Sequence, residues 1–184
     1  MPRLFSALEL TDEIRDRLTD LRAPFETARW VTPEDLHITL RFAGEISRRQ
    51  AEEFAHALAD IQLPPPRVRI KGTGVFGGKS PHAVYAAVEQ TSELDELHRA
   101  HEHAARAVGL ERETRKYVPH VTLARLDGEQ PATVANFLER TGALKFPDFW
   151  PQRAVLMSAR DGGGGPYGVV DSFPFAGTYG GDEE

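Results

Sequence analysis

The sequence contains no cysteine, which excludes disulfides, zinc–thiolate centres, iron–sulfur clusters and thiolate catalysis together. No apolar run approaches the ~20 residues of a membrane span. The N-terminal apolar stretch turns polar at Glu9, too soon for the core of a secretory leader. The expected location is the cytoplasm. Basic charge is not in excess either, with 22 Lys+Arg against 28 Asp+Glu and a formal net charge of −6. That balance disfavours a protein gripping a long nucleic acid through many phosphates. Part of it belongs to Asp182, Glu183 and Glu184, which close an acidic tail over 180–184 that reads as frayed. The 184 residues, 40% hydrophobic and 27% charged, suit one globular domain over 1–184 with no linker dividing it.

Periodicity supplies the elements. Leu4 to Leu8 reads as a strand, and Leu10, Ile14, Leu18 and Leu21 form a helical stripe stopped near Pro24. Leu36, Ile38, Leu40 and Phe42 alternate with His37, Thr39 and Arg41, as in a half-buried strand. Ser47 to Gln50 is a capping-box pattern opening a second helix. Strands are expected over about 67–76 and 83–89, then a helix over about 93–108 with Gly109 at its C′ position. A strand over 119–125, a short helix over 131–138 and a hairpin of 153–159 with 168–173 around Gly162–Gly165 complete the chain. This is strand–helix–strand–helix–strand twice over, with one strand to spare, and reads as an internal pseudo-repeat.

The repeat is visible in the residues. Leu36-His37-Ile38-Thr39-Leu40-Arg41 resembles Pro119-His120-Val121-Thr122-Leu123-Ala124-Arg125. With 7 His and 12 Thr in the chain, roughly half of one His-x-Thr match is expected by chance, but two flanked by apolar residues only a few times in a thousand. Residues two apart in a strand share a face, so each His projects beside its Thr. Strands brought together by the repeat would set two imidazoles and two hydroxyls on one cleft. Imidazole gives and takes protons near neutral pH, and threonine and arginine can bind phosphate oxygens. The scheme requires no metal and no cofactor.

These residues resemble the paired HxTx motifs of the two-histidine (2H) phosphoesterase superfamily. They are most similar to the bacterial and archaeal RNA 2′,3′-cyclic phosphodiesterases, also called 2′-5′ RNA ligases. Arg3-Leu4-Phe5, Arg29-Trp30-Val31, Leu40 to Gly44 and Gly74-Val75-Phe76 extend the likeness over nearly the whole chain. The resemblance implies a bilobal, pseudo-symmetric α+β fold, two antiparallel sheets flanking a central cleft with helices outside. It implies hydrolysis of a 2′,3′-cyclic phosphate to a 2′-phosphomonoester, with His37 as general acid and His120 as general base. Thr39, Thr122 and Arg125 would contact phosphate. Arg125 lies an odd number of residues from His120, so simple alternation turns it away unless a bulge or strand end turns it back. Arg41, on the His37 face by alternation, is the other candidate.

The expected partners are RNA 3′ ends or small cyclic nucleotides, with no membrane and no obligatory protein partner. Phe5, Tyr85 and Phe76 could stack on a base, or be core. Other readings of the same residues are 2′-5′ ligation and a non-catalytic module that binds RNA ends.

Several further patterns are weighed and set aside. Gly72 to Gly77 matches GxGxxG, but Pro81 and a strand follow where a helix would be needed, and Gly78-Lys79-Ser80 fails as a phosphate loop because Thr73 stands where its first Gly is required and Pro81 again replaces the helix start. His98, His101 and His103 suggest a metal site, yet His101 falls on the apolar stripe of its helix and His103 lies well around from it. Arg67, Arg69 and Lys71 form a basic row that serves a protected strand edge as readily as RNA.

Overall fold

A computed structural model describes residues 3–160 and 164–177. The acidic tail and the Gly162-Gly163 part of the expected hairpin loop lie outside the described residues. Among the described residues, eight strands and four α-helices follow in the order β1 (Arg3–Glu9), α1 (Asp12–Thr19), β2 (Arg29–Trp30), β3 (His37–Glu45), α2 (Arg48–Ala59), β4 (Ile70–Phe76), β5 (Ala83–Val88), α3 (Ser92–Ala107), β6 (His120–Arg125), α4 (Pro131–Thr141), β7 (Arg153–Ala159) and β8 (Gly168–Pro174). A single 3-10 turn at Pro33–Asp35 precedes β3. The two-residue strand β2 is too short for any periodicity to announce, and α4 runs three residues beyond its expected end.

Local chemistry explains the boundaries. Thr11, Ser47 and Thr91 sit at the N-caps of α1, α2 and α3, and each side chain accepts from the backbone N–H three residues on. Pro131 occupies the first turn of α4, where its missing N–H costs nothing. Gly109 takes a φ of +86° just past α3, as a C′ glycine should. Gly77 needs its φ of +104° in the β4–β5 turn, where a Cβ would meet the Ser80 carbonyl oxygen at 2.2 Å.

The strands form two antiparallel sheets, ordered β3-β1-β7-β8 and β2-β6-β5-β4. The expected α+β architecture of two sheets is the one observed. Helices α2 and α3 pack on the first sheet through contacts to β8 and β3, while α4 packs on β4 of the second. Helix α3 therefore crosses over: it connects β5 to β6 in the second sheet but lies against the first. Ile38 and Leu40 of β3 share one buried cluster with Val121 and Leu123 of β6, joined by Leu94 and Leu97 of α3. The same helix places Ala104 and Ala105 in a second cluster with Phe54 and Leu58 of α2. The two motif strands are thereby fixed from beneath by the same apolar packing. None of the described helices is long and apolar enough to cross a membrane.

One buried polar pair should make the fold acid-sensitive. Ser6 Oγ lies 2.7 Å from Nδ1 of His101, which is 2% exposed. Desolvation, assisted by the nearby His98, pushes the His101 pKa down to about 3 from 6.5. A depressed histidine favours the unfolded state on protonation, so its contribution is complete above pH 6.5 and is lost as pH falls toward 3. The urea midpoint should therefore fall between about pH 6.5 and 5, with a slope of at most about 1.4 kcal/mol per pH unit from this group. His98, His37 and His120 are also depressed and add in the same direction. The readout is the difference from His101→Gln, whose slope should be shallower; identical slopes would contradict this role.

Candidate active site

The two His-x-Thr strands share one pattern of burial. His37–Phe42 and His120–Arg125 both run half-buried, buried, half-buried, buried, buried, exposed. Strict alternation would not put two buried residues in succession. The cause is a bulge at the same place in each strand: Thr39 pairs Ala7 and Arg41 pairs Ser6, leaving Leu40 unpaired. Likewise Thr122 pairs Tyr85 and Ala124 pairs Val84, leaving Leu123 unpaired. An extra residue reverses the facing of everything after it. Arg125 and Phe42 consequently join the His and Thr of their strands on the cleft side, while Ala124 and Arg41 turn inward.

This corrects the expectation for Arg41. It does not share the His37 face with a free guanidinium, although it borders the cavity. It is 7% exposed and its guanidinium donates to the Glu102 carboxylate and to the carbonyls of Phe42 and Glu111. Arg125 is exposed and forms no ion pair with any described carboxylate. Its neighbour is the Tyr167 hydroxyl, whose pKa is raised by burial against an opposing contribution from Arg125.

Between the lobes lies a cleft of about 1030 Å³ lined by His37, Thr39, His120, Thr122, Arg125 and Phe42, among others. Each imidazole is oriented in the same way. Nδ1 of His37 is 2.7 Å from the Asp35 carbonyl, and Nδ1 of His120 is 2.6 Å from the Val118 carbonyl. A carbonyl can only accept, so each Nδ1 carries the proton and Nε2 is left to exchange protons in the cleft. Thr39 Oγ1 stands 3.0 Å from Nε2 of His37. Burial is the largest influence on both rings and lowers both pKa values, against the opposing carbonyl hydrogen bonds; Arg125 lowers both further. Such a pair is neutral at pH 7.

Aromatic rings hold the imidazoles in place. Phe5 packs on His37 at 4.9 Å between centroids and Tyr167 meets the same ring edge-on at 5.3 Å. Phe76 and Tyr85 do the same for His120 at 4.9 and 5.4 Å. Phe5 is 3% exposed, so it underlies His37 and offers little face to a ligand. Tyr85 does not border the cleft; its ring covers Gly74, where a Cβ would come within 2.4 Å of it. Phe76 does border the cleft.

Asp35 and Tyr167 carry parts that sequence reasoning left unassigned, and Phe42, which alternation grouped with the apolar Leu36, Ile38 and Leu40, instead faces the cleft. Phe42 is 54% exposed and stands in its strand where Arg125 stands in the other. The equal spacing, five residues after each histidine, was the available signal. Asp35 is buried and its carboxylate accepts from Thr32 Oγ1 and from the Tyr167 N–H, tying Tyr167, just ahead of β8, against His37. Nothing local links Tyr167 to a histidine so far back in the chain.

The patterns set aside earlier have ordinary places. Arg69 is paired with Asp148 and Glu89, and Arg67 with Asp148. His98 stacks on Tyr117 at 3.8 Å while His101 turns to Ser6. Among the described residues no group of three or more His, Asp or Glu side chains is arranged to hold a metal ion.

A family model described as the 2′-5′ RNA ligase superfamily matches residues 10–163. A protein named RNA 2′,3′-cyclic phosphodiesterase from Thermus thermophilus is 30% identical over 97% of this chain and 92% of its own. One of the same name from Aquifex aeolicus is 30% identical over 81% of this chain and 82% of its own. Among solved structures, the Thermus thermophilus protein TT0787 superposes with a TM-score of 0.75 at 26% identity, covering 96% of this chain and 100% of that one. E. coli LigT complexed with 3′-AMP gives a TM-score of 0.73 at 22% identity over 96% of this chain and 100% of its own, a likeness of fold.

Proposed function

The chain belongs to the 2′-5′ RNA ligase superfamily, and from that membership we propose that it hydrolyses 2′,3′-cyclic phosphates at RNA 3′ ends or on small nucleotides to 2′-phosphomonoesters. The observation that carries this reading is the paired orientation of the two imidazoles, each with Nδ1 on a carbonyl and Nε2 directed to a common cleft. Relatives with the same name as the proposed activity, matched along most of both chains, support the reaction class.

The mechanism is acid–base catalysis with no metal in any step. His120 Nε2 takes a proton from water as its oxygen forms a bond to phosphorus. His37, protonated at Nε2, gives that proton to O3′ as the P–O3′ bond breaks. The products are a 2′-phosphate and a 3′-hydroxyl, with one proton delivered and one taken up. The Thr39 and Thr122 hydroxyls donate to the non-bridging oxygens, and Arg125 offsets the charge that builds on them in the transition state. Phe42 presents an exposed ring on which a nucleobase can stack.

This account fixes the pH dependence. The acid must hold a proton, yet both histidines titrate below 6.5 in the free enzyme. The kcat/KM profile should therefore turn down below about pH 6.5 on its alkaline side and fall roughly tenfold per unit above it. Bound phosphate restores protonation, so the kcat profile should turn down at higher pH. Turnover of a 2′,3′-cyclic nucleotide should persist in excess chelator. A kcat/KM that stays flat to about pH 8.5, loss of activity in chelator, or binding without turnover would each contradict the proposal.

A further inference from the structure

Arg41 lies in the strand of the first motif, but its acceptors belong to another part of the chain. Besides the adjacent Phe42 carbonyl, it donates to Glu102 on α3 and to the Glu111 carbonyl in the segment between α3 and β6. The second oxygen of Glu102 accepts from the Glu113 N–H at 3.1 Å. A few residues on, the Tyr117 hydroxyl donates to the Thr39 carbonyl at 2.9 Å, with its ring stacked on His98. The next residue, Val118, provides the carbonyl that holds Nδ1 of His120. Residues 109–119 contain no helix or strand, so their path depends on such side-chain anchors.

We propose that Arg41 is a positioning residue, clamping the segment that orients His120 onto the strand that carries His37. The inference rests on the phosphodiesterase reading of the cleft. Two features separate it from general core packing. The equivalent position of the other lobe is Ala124, also buried, so the bulged sheet itself does not demand an arginine. The guanidinium also meets its carboxylate and two carbonyls at once, a fork that a lysine ammonium on a flexible stem does not reproduce. Its buried, carboxylate-paired donors distinguish it from Arg125, which is exposed on the cleft side beside the Tyr167 hydroxyl and has no described carboxylate partner.

The test compares wild type with Arg41→Lys and Glu102→Gln in the full chain. Misplacing a catalytic group by about 1 Å can cost on the order of 10²-fold. Arg41→Lys should lower kcat about tenfold or more while KM for a 2′,3′-cyclic nucleotide stays within about threefold. Ring ¹⁵N spectra of His120, recorded without substrate, should change from one Nδ1–H tautomer to a mixture. Glu102→Gln should shift both readouts in the same sense, and it carries the test if Arg41→Lys does not fold. A lower Tm with kcat and tautomer unchanged would overturn the proposal in favour of simple packing. Weaker binding of inorganic phosphate with an intact His120 tautomer would overturn it in favour of direct phosphate contact. A wild-type protein without turnover removes the phosphodiesterase reading alone, because the tautomer is read without catalysis.

Discussion

His120→Ala and His37→Ala should each lower kcat for a 2′,3′-cyclic nucleotide by about 10²–10⁴-fold, the usual cost of removing a positioned acid or base. Both rings are anchored at Nδ1 by the carbonyl of the residue two positions earlier, so each Nε2 has one fixed direction. The two variants should differ in pH dependence. Without His37 the alkaline limb of the profile should disappear, and without His120 the acid limb should. The double variant should be little worse than either single one, because groups that act on one transition state are not additive. His37→Ala also leaves Phe5 and Tyr167 without their shared neighbour, so activity is compared at equal folded concentration. Near-wild-type turnover in either single variant would contradict the mechanism.

Arg125→Ala should cost about 10²–10³-fold in kcat/KM, comparable to losing one preorganised donor at a developing charge. The expectation follows from its exposure on the cleft side and its lack of a described carboxylate partner. Arg125→Lys keeps the charge but loses planar, two-pronged contact with phosphate, so it should fall between Ala and wild type. A second effect has a definite sign. Arg125 lowers the pKa of both histidines through its charge, so removing it should move the alkaline limb of kcat/KM to higher pH. Activity within about threefold of wild type after Arg125→Ala would assign the phosphate charge to another group. Together with the Arg41 variants, this separates the arginine that meets substrate from the one that holds the loop.

The difference between these arginines marks where the sequence stops being legible. The strands, the caps at Thr11, Ser47 and Thr91, and the repeat of His-x-Thr follow from local periodicity and hydrogen-bonding chemistry. The facing of Arg41 and Arg125 does not, because one unpaired residue, Leu40 or Leu123, reverses it. A bulge was the condition for Arg125 to face the cleft, and the matching bulge in β3 carries Arg41 away from it. Phe5 and Tyr85 read equally well as base-stacking or core residues in the sequence; the fold sets both against the histidines, with Phe5 buried. The crossover of α3 could not be read either, since an amphipathic helix does not record which sheet it covers. Tyr167, Asp35 and Tyr117 acquire their parts only through contacts distant in the chain.

Phosphorus NMR of the product from a 2′,3′-cyclic nucleotide tests the central claim most directly, because it reads turnover and the bond broken together. With His37 delivering its proton to O3′, the account predicts a single 2′-phosphomonoester resonance. A 3′-phosphate, or unchanged cyclic substrate, would contradict it.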